Sequence, residues 1–312
     1  MHVWNSPKEE ERRKPACALK MNSGQLLQFI FSGITSGSIY ALIALGFTLI
    51  YNSTQVINFA QGEFVMLGGL FAVTYTGLGL PVPVVILLSV LSVAIIAMIF
   101  ERVAINPLRD PSVLTIIIVT IGASILFKSF AMLAWGRDPL TIPAFSGEKP
   151  IRILSATMTP QALWVIAMTL IAVVLMQLFY GYTSAGKAMK ACANNRNAAR
   201  LIGINASRIV MYSFGLSAAL GALAGAIITP IAMMGFTSGG VFGLKGFAGA
   251  VLGGLGNPLG AVAGGLILGL LESLAVGFIS SGYKDAIAFL VLLAVLFAKP
   301  SGIFARAEKE KV

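Results

Sequence analysis

Three ionisable side chains interrupt long apolar stretches of this 312-residue sequence: Glu63, Lys128 and Glu272. A charged group at the centre of an apolar helix costs roughly 3 kcal/mol or more in a bilayer, so each needs a partner or a task. Glu63 lies in the segment NFAQGE, close to the amides of Asn58 and Gln61. Such groups can line a polar route for a solute, and a Glu in a first helical turn is also favoured by the helix dipole. Two interpretations of Asn58, Gln61 and Glu63 therefore stay open, a pathway or a packed helix start.

The other charges within apolar segments have simpler explanations. Lys128 is expected to extend towards the membrane surface or to pair with a carboxylate, and Glu272 is one candidate partner. Lys245 and Asp285 fall near the ends of predicted spans, where the same extension towards water explains them.

Familiar catalytic and metal-binding patterns are missing from the sequence. His2 is the single histidine, and Cys17 and Cys192 lie far apart in polar segments, so neither a metal site nor a disulfide is expected. There is no GxxxxGK[ST] loop for ATP, no HExxH and no GxSxG. The sequence therefore predicts a protein without enzymatic activity, cofactor or metal, a transport component that takes its energy from a gradient or from a partner.

Composition indicates a membrane protein. Hydrophobic residues make up 57% of the chain and charged residues 11%, against about 25% charged in a typical soluble domain. Four windows contain no Asp, Glu, Lys or Arg: 21–62, 64–100, 153–186 and 209–244. Each exceeds the roughly 20 residues that cross a hydrocarbon core as a helix. The fold class predicted is an all-α polytopic membrane protein, and the net charge of +10 is assigned to topology rather than to nucleic-acid binding.

The layout predicted is one transmembrane domain between two polar tails. The tails are 1–24 and 304–312, and the transmembrane domain is 25–303. A Gly-rich piece at 244–256 is too short to cross alone and is expected to be a broken or re-entrant element, which gives about eight or nine transmembrane helices. The predicted spans are 26–51, 60–79, 82–100, 113–134, 161–182, 209–233, 258–280 and 284–299.

Glycine spacing predicts close helix packing. Small residues four apart form a flat stripe along a helix, which lets two backbones approach closely within lipid. A sliding contact between helices during gating is the alternative for the stripes between 249 and 269. The pairs are Gly33/Gly37, Gly221/Gly225, Gly249/Gly253, Gly256/Gly260, Gly260/Gly264 and Gly265/Gly269.

A basic segment at 183–208 separates two apolar spans. It reads TSAGKAMKACANNRNAARLIGINASR, with five basic residues and no acidic residue. A polar segment with this charge bias between spans belongs on the cytoplasmic side. The loop at 101–112 falls two spans earlier and can lie on the same side, which leaves 135–160 outside. Counting back places the N-terminus outside, unless the first span conceals a break.

The basic segment also resembles the coupling loop of ABC importer permeases. Asn197-Ala198-Ala199, three residues and then Gly203 match the core of the EAA loop, with Asn in place of Glu and without the downstream I-x-L-P part. The GIN-x-x-R that follows is similar to the branched-chain amino acid (LIV-type) permease family. Two further blocks resemble that family, GITSGSIYALIALGFTLIYNSTQVINFAQGEFVMLGG and FAGAVLGGLGNPLGAVAGGLILGLLESL.

The resemblance implies an ABC importer permease, the shorter of two paired subunits, in a bacterial inner membrane. It implies a heterodimer with a second permease, two ABC ATPase subunits that hydrolyse ATP, and a periplasmic solute-binding protein, with an amino acid as substrate and lipid as surroundings. In this interpretation the cytoplasmic segment couples to an ATPase through small residues that permit close approach and two apolar side chains that fill its groove. The two apolar side chains are Leu201 and Ile202, and the coupling residues are Asn197, Ala198, Ala199, Leu201 and Gly203.

Other functions remain open on the sequence. A urea or short-amide ABC permease has the same predicted fold. A gradient-driven secondary transporter would use Glu63, Lys128 and Glu272 as its coupling residues, and a channel-like protein without active transport is a third class. The sequence does not say which amino acid is carried.

Overall fold

The computed structural model describes residues 23–108, 112–147, 149–153, 155–278, 281–299 and 301–304, and these contain eleven α-helices. A π-helical turn, Glu101–Ile105, prolongs α3, and a 3-10 turn, Ser281–Tyr283, precedes α11. The helices are α1 Ser23–Thr54, α2 Gln61–Gly77, α3 Val82–Phe100, α4 Val113–Trp135, α5 Pro160–Tyr182, α6 Ser184–Asn194, α7 Arg196–Leu201, α8 Ala206–Ile228, α9 Ser238–Gly253, α10 Pro258–Phe278 and α11 Lys284–Ala298. The strands β1 Ile151–Ile153 and β2 Ala156–Met158 form a small antiparallel hairpin. The all-α prediction is confirmed apart from this hairpin.

Six helices of the described part are long and apolar enough to cross a membrane: α1, α3, α4, α5, α8 and α10. The predicted count of eight or nine included three shorter helices, α2, α9 and α11, with 17, 16 and 15 residues. At 1.5 Å per residue these are about 22–26 Å long, less than the roughly 30 Å of a hydrocarbon core. The break suspected in the first span is absent, because α1 is continuous over 32 residues.

Side-chain caps fix the starts of five helices, α4 to α8. Ser112, Thr159, Thr183 and the two asparagines before α7 and α8 each accept a hydrogen bond from a backbone N–H in the first turn. Such a cap satisfies one of the free N–H groups of a helix start. The residues that precede α2 and α9 form no side-chain cap. Pro81 before α3 and Tyr283 before α11 likewise form no side-chain cap.

The bundle has two ends that differ in charge. The end that carries α6 and α7, called the basic end below, exposes Lys190 and Arg200. The last turns of α1 lie there, because Asn52 borders the same cavity as Lys190. The opposite end carries the β1–β2 hairpin, where Gln28 accepts a hydrogen bond from the Thr157 N–H (2.9 Å). Helix α1 therefore runs from the opposite end to the basic end.

Glycines bring α1 and α9 into backbone contact with α10. A β-carbon at Gly269, Gly249 or Gly253 would collide with the backbone of the facing helix. The prediction of close packing is thereby confirmed for these stripes. Gly256 differs, because it lies in the turn between α9 and α10 with a φ of 93° rather than on a helix face. The facing pairs are Gly37 with Gly269, Gly249 with Gly265, and Gly253 with Gly260.

Helix α8 holds α2 in the same manner. A β-carbon at Gly225 would meet the carbonyl of Val65, and one at Gly68 would meet the backbone of Ala222. Helices α1 and α8 form the centre of the bundle, with 89% and 72% of their apolar windows buried, against 22–28% for α3, α4 and α5. The outer helices therefore leave wide apolar faces available to lipid or to another subunit.

We expect Gly225→Ala to lower the thermal stability of the protein. The added methyl group must enter the contact between α8 and α2, and overpacking of this kind costs roughly 1–3 kcal/mol. Gly122→Ala on α4 is the matched control, because nothing lies within 4 Å of a β-carbon there. Loss of helical signal on heating in one detergent measures both variants. Equal melting temperatures would show that the α2–α8 contact is looser than described.

Candidate functional site

The start of α2 lies inside the bundle, where hydrogen bonds join it to α8 and α4. The Gln61 Nε2 donates a hydrogen bond to the backbone carbonyl of Ser217 in α8 (3.1 Å). The Ser217 hydroxyl lies within hydrogen-bond distance of Gln61 Oε1 (2.6 Å) and of the Gly46 carbonyl in α1 (2.7 Å). The Phe59 N–H donates to the Thr120 hydroxyl of α4 (3.3 Å). The chain between α1 and α2 thus re-enters the interior, and α2 begins where these helices meet.

Two of the three predicted pathway residues are enclosed at this point. Asn58 Oδ1 accepts a hydrogen bond from the Ala60 N–H (3.0 Å), which shapes the turn before α2. Asn58 and Gln61 are 1% and 0% exposed. Their side chains therefore serve the helix start in this conformation, and their part in a pathway stays a prediction.

Glu63 is in the first turn of α2, as predicted, and is 1% exposed. Its Oε1 accepts a hydrogen bond from the Ser124 hydroxyl of α4 (2.9 Å). Its Oε2 is buried and has no hydrogen-bond partner among the described residues. That oxygen lies against Gly239 in the first turn of α9, where a β-carbon would collide with it. The carboxylate is therefore placed between the N-terminal ends of two helices, where a negative charge is favoured.

A pocket of about 210 Å³ lies beside Glu63. Lys128 borders it from α4, one helical turn beyond Ser124. The first turn of α9 contributes Gly239 and Gly240, and the remaining wall is apolar. Glu63 and Lys128 were considered separately in the sequence, and the fold brings them to one pocket. Asn58 and Gln61 do not border it.

A second charged cluster ties α9, α10 and α11 together. The ammonium of Lys245 lies 2.9 Å from Glu272 Oε1 and 2.7 Å from Asp285 Oδ1, and Lys284 lies 3.3 Å from the same oxygen of Glu272. Lys245 is 4% exposed and its ammonium lies 5.7 Å from the centre of the Tyr40 ring. The expectation that Lys245 extends towards water was therefore wrong. The partner of Glu272 is Lys245 rather than Lys128, because α9 and not α4 packs on α10.

The basic segment forms two helices, α6 and α7, rather than one. Asn195 is extended between them, and its Oδ1 accepts a hydrogen bond from the Ala198 N–H (2.9 Å). Helix α6 packs Met189 and Cys192 inwards. It lies tightly against the end of α5, because a β-carbon at Gly186 would collide with the last turn of that helix. The break at Asn195 turns α7 away from the axis of α6.

Helix α7 ends as the sequence predicts. Gly203 has a φ of 87°, its N–H bonds to the Arg200 carbonyl (3.0 Å), and the Ile204 N–H bonds to the Ala199 carbonyl (3.0 Å). These two bonds form the Schellman motif, which favours glycine at this position. The helix therefore stops at Leu201, and the chain turns directly towards α8.

The predicted coupling residues divide between an inner and an outer face. Ala199 is 2% exposed and packs on its own chain. Leu201 and Ile202 are 89% and 75% exposed, and Ala198 is exposed beside them. The side chain of Asn197 lies outside the described part. An apolar pair so open at a polar end of the molecule is a surface suited to another protein.

A cavity of about 550 Å³ lies at the basic end, between α6 and the ends of α1, α5 and α10. Lys190 borders it and places its ammonium 5.6 Å from the centre of the Tyr180 ring.

Sequence reasoning missed Ser124, Ser217, Gly239 and Gly240. Each belongs to an apolar or glycine-rich helix, where a hydroxyl or a glycine is common, so no local signal separates them from packing residues. These four residues contact Gln61 or Glu63, or line the pocket beside Glu63, only because α2, α4, α8 and α9 pack together in the folded protein.

Comparisons with known proteins agree on one family. A family model described as "Branched-chain amino acid transport system / permease component" matches residues 29–296. The high-affinity branched-chain amino acid transport system permease protein LivH of Salmonella typhimurium is 35% identical over 300 residues, covering 92% of this chain and 97% of LivH. BraD of Pseudomonas aeruginosa, with the same description, is 34% identical over 92% of this chain and 98% of BraD. The autoinducer 2 import system permease protein LsrC of Yersinia enterocolitica is 29% identical over 87% of this chain and 74% of LsrC.

We expect Lys245→Met to destabilise the protein by roughly 3–5 kcal/mol, because it removes the main partner of the buried Glu272 carboxylate. The double variant Lys245→Met/Glu272→Leu should recover most of the loss, since no buried charge then remains unpaired. Lys284→Met, which removes a half-exposed charge from the same cluster, should cost at most about 1 kcal/mol. Thermal unfolding in detergent compares the three. A double variant no more stable than Lys245→Met would contradict the pairing.

Proposed function

Since this chain belongs to the branched-chain amino acid transport system permease family, we propose that it is the membrane-spanning permease subunit of an ATP-driven importer of branched-chain or related amino acids. It forms the route through the membrane, and ATP is hydrolysed on separate ATPase subunits. The two relatives named for branched-chain amino acids are more similar to it, at 35% and 34% identity, than the autoinducer 2 permease at 29%. That difference favours an amino acid as the substrate.

The observation that carries the coupling proposal is the exposed apolar pair at the end of α7. Leu201 and Ile202 occupy a polar, basic surface, where exposed apolar side chains are unfavourable unless a partner covers them. A groove on an ATPase subunit would accept them, with Ala198 allowing close approach. Lys187 and Lys190 are exposed nearby and can contact acidic groups of the partner or lipid head groups. Gly203 then returns the chain to the bundle.

The contacts of α6 and α7 support transmission of movement as a rigid unit. Gly186 holds α6 against α5, and Thr183 caps it with a hydrogen bond to the Gly186 N–H (3.0 Å). On the other side, Asn205 caps α8 by accepting a hydrogen bond from the Arg208 N–H (3.2 Å). Displacement of α7 by an ATPase would therefore move α5 and α8, and α8 carries α2 with it.

The proposed setting is a bacterial inner membrane with the basic end in the cytoplasm, as the bias of positive charge indicates. The short helices α2, α9 and α11 then complete nine membrane segments, with α2 and α9 beginning within the membrane. The proposed partners are a second permease subunit, two ABC ATPase subunits and a periplasmic solute-binding protein. The apolar faces of α3, α4 and α5 are available to the second permease and to lipid.

Two alternative functions differ from this proposal in their substrate or in their energy source. A urea or short-amide ABC permease keeps the same coupling surface and differs only in substrate. A gradient-driven transporter needs a membrane carboxylate that takes up and releases a proton or an ion. Glu272 is held by two lysines, which suits a fixed charge better than a cycling one.

We expect uptake of leucine, isoleucine or valine by vesicles containing the full transporter to require ATP and both ATPase subunits. Uptake should continue when a protonophore collapses the proton gradient while ATP is maintained. Excess urea should not compete. Uptake that stops with the protonophore at high ATP would favour the gradient-driven alternative, and competition by urea would favour the amide permease.

Ala198→Asp should abolish uptake, and also abolish stimulation of the ATPase by loaded binding protein, while leaving the amount of permease in the membrane unchanged. The added carboxylate lies on the exposed face of α7 and prevents its close approach to a partner. Ser184→Asp is the matched control: it adds the same charge to the same segment at an exposed helix start, where the dipole favours it. Normal uptake by Ala198→Asp would contradict the coupling role of α7.

A further inference from the structure

The pocket beside Glu63 combines two opposite charges with an apolar wall. Its volume is about 210 Å³, enough for one small molecule. Glu63, Ser124 and Lys128 supply its polar side chains, and Gly239, Gly240 and Gly243 leave their side of the wall without side chains. The apolar residues are Phe47, Phe59, Ile121, Ile125, Leu244 and Phe247. A pocket lined in this way suits a ligand that carries both charges and a hydrocarbon group.

Glu63 has unused capacity to bind a donor. It is 1% exposed, and of its two oxygens only Oε1 has a hydrogen-bond partner among the described residues, the Ser124 hydroxyl. Buried carboxylates are normally paired or accept several hydrogen bonds. The partnerless Oε2 is closed off from solvent against Gly239, and both residues line the pocket. An ammonium group entering the pocket would supply the missing donor.

Lys128 offers the opposite charge. It is half-buried, four residues beyond Ser124, so both side chains project from one face of α4. Within the described residues it forms no ion pair, in contrast to Lys245. An amino group that is partly withdrawn from water and lies near the Glu63 charge without a direct ion pair is suited to a ligand carboxylate.

The start of α9 adds a second attraction for a carboxylate. Thr237 forms no side-chain cap; the Ser238 N–H donates to the Gly235 carbonyl (3.0 Å), and the N–H groups of Gly239 and Gly240 have no side-chain cap at the pocket wall. Free N–H groups at a helix start attract anions, and helices that begin at membrane depth place this attraction beside the substrate route.

We propose that this pocket is a binding site for one free aliphatic amino acid during its passage through the membrane domain. The ligand's ammonium binds Glu63 Oε2, its carboxylate binds Lys128 and the first turn of α9, and its side chain lies among Phe47, Phe59 and Phe247. The proposal rests on the import function proposed above and names where and how the substrate is held. The opposite charges of Glu63 and Lys128 match a zwitterion and disfavour ligands with a net charge.

The test uses the complete transporter in proteoliposomes, with Cys17→Ser and Cys192→Ala as background. Gly240→Cys is the reporter, because it borders the pocket and nothing lies within 4 Å of a β-carbon there. A small water-soluble thiol reagent should label it in at least one nucleotide state, and leucine should protect it. Gly181→Cys, at the exposed end of α5 at the basic end, is the matched reporter outside the pocket; it should be labelled and should show no protection by leucine.

Three ligands separate recognition of the zwitterion from recognition of the side chain. Leucine should protect, whereas leucinamide, which lacks the carboxylate, and the corresponding 2-oxo acid, which lacks the ammonium, should need about tenfold higher concentrations or more. Lys128→Met should raise the leucine concentration needed for protection by a similar factor, and Glu63→Gln should do the same. Lys149→Met removes an exposed lysine from the loop before β1 and should leave protection unchanged.

Several outcomes would overturn the proposal. Equal protection by leucine and the 2-oxo acid would show that Glu63 does not bind the ammonium group of the ligand. Unchanged protection in both Lys128→Met and Glu63→Gln would show that Glu63 only holds the helix starts together. Absence of labelling at Gly240→Cys in every nucleotide state would mean that the pocket never opens to water. If the Glu63→Gln permease fails to assemble into the transporter, the Lys128→Met variant still tests the proposal, because Lys128 is only half-buried.

Failure of this proposal differs from failure of the proposed function. Suppose that the unchanged transporter takes up leucine, and that Lys128→Met and Lys149→Met need the same leucine concentration for protection. The protein then has the proposed function without this site. A transporter without leucine uptake, whose reporter is protected by another solute, has a different function. In binding-protein-dependent uptake, loss of this site should lower the maximal rate of uptake and leave the affinity of the binding protein for leucine unchanged.

Discussion

Two helices that begin inside an apolar bundle set the main constraint on this fold. Backbone polar groups at membrane depth must be paired within the protein or face a cavity, since lipid offers them nothing. At α2 the Ala60 N–H donates to Asn58 Oδ1, and the N–H groups of Gln61 and Glu63 donate to the carbonyls of Asn58 and Ala60. At α9 no side chain plays this part, and the Glu63 carboxylate lies against the first turn instead. The requirement to satisfy two buried helix starts thus places a charge and a pocket in the same part of the bundle.

Glycine contacts hold these buried helix starts together. Gly225 brings α8 onto α2, and Gly249 and Gly253 bring α9 onto α10. Gly62 brings the first turn of α2 onto α9, where a β-carbon would collide with the Gly239 carbonyl. These four glycines face main chain, so the contacts resist separation. A displacement transmitted through α8 would therefore reach α2 and then α9, beside the pocket.

Much of the helical layout was predictable, because long uncharged windows and glycine stripes are strong signals in a membrane protein. The helix bounds fall within a few residues of the predicted spans, and the glycine end of α7 follows from the spacing of Ala199 and Gly203. The partners of the buried charges were not predictable. Lys245 lies midway along a helix that was expected to be a short fragment, and its pairing with Glu272 depends on α9 packing against α10. Such pairings are fixed by the order of helices in space, which one sequence does not reveal.

The two sets of buried charges differ in their charged partners, and this difference separates structure from function. Lys245 binds two carboxylates and Glu272 receives two lysines, so that cluster anchors α11, of whose described side chains Ala288 alone is buried. Glu63 Oε2 and Glu272 Oε2 are both buried without a hydrogen-bond partner among the described residues, but of these two carboxylates Glu272 alone has a lysine within ion-pair distance. Breaking an ion-paired cluster costs several kcal/mol, whereas a carboxylate without a bound cation is stabilised by a ligand that brings one. A site that passes its ligand onward must lack a tight internal ion pair, because such a pair would compete with the solute at each cycle.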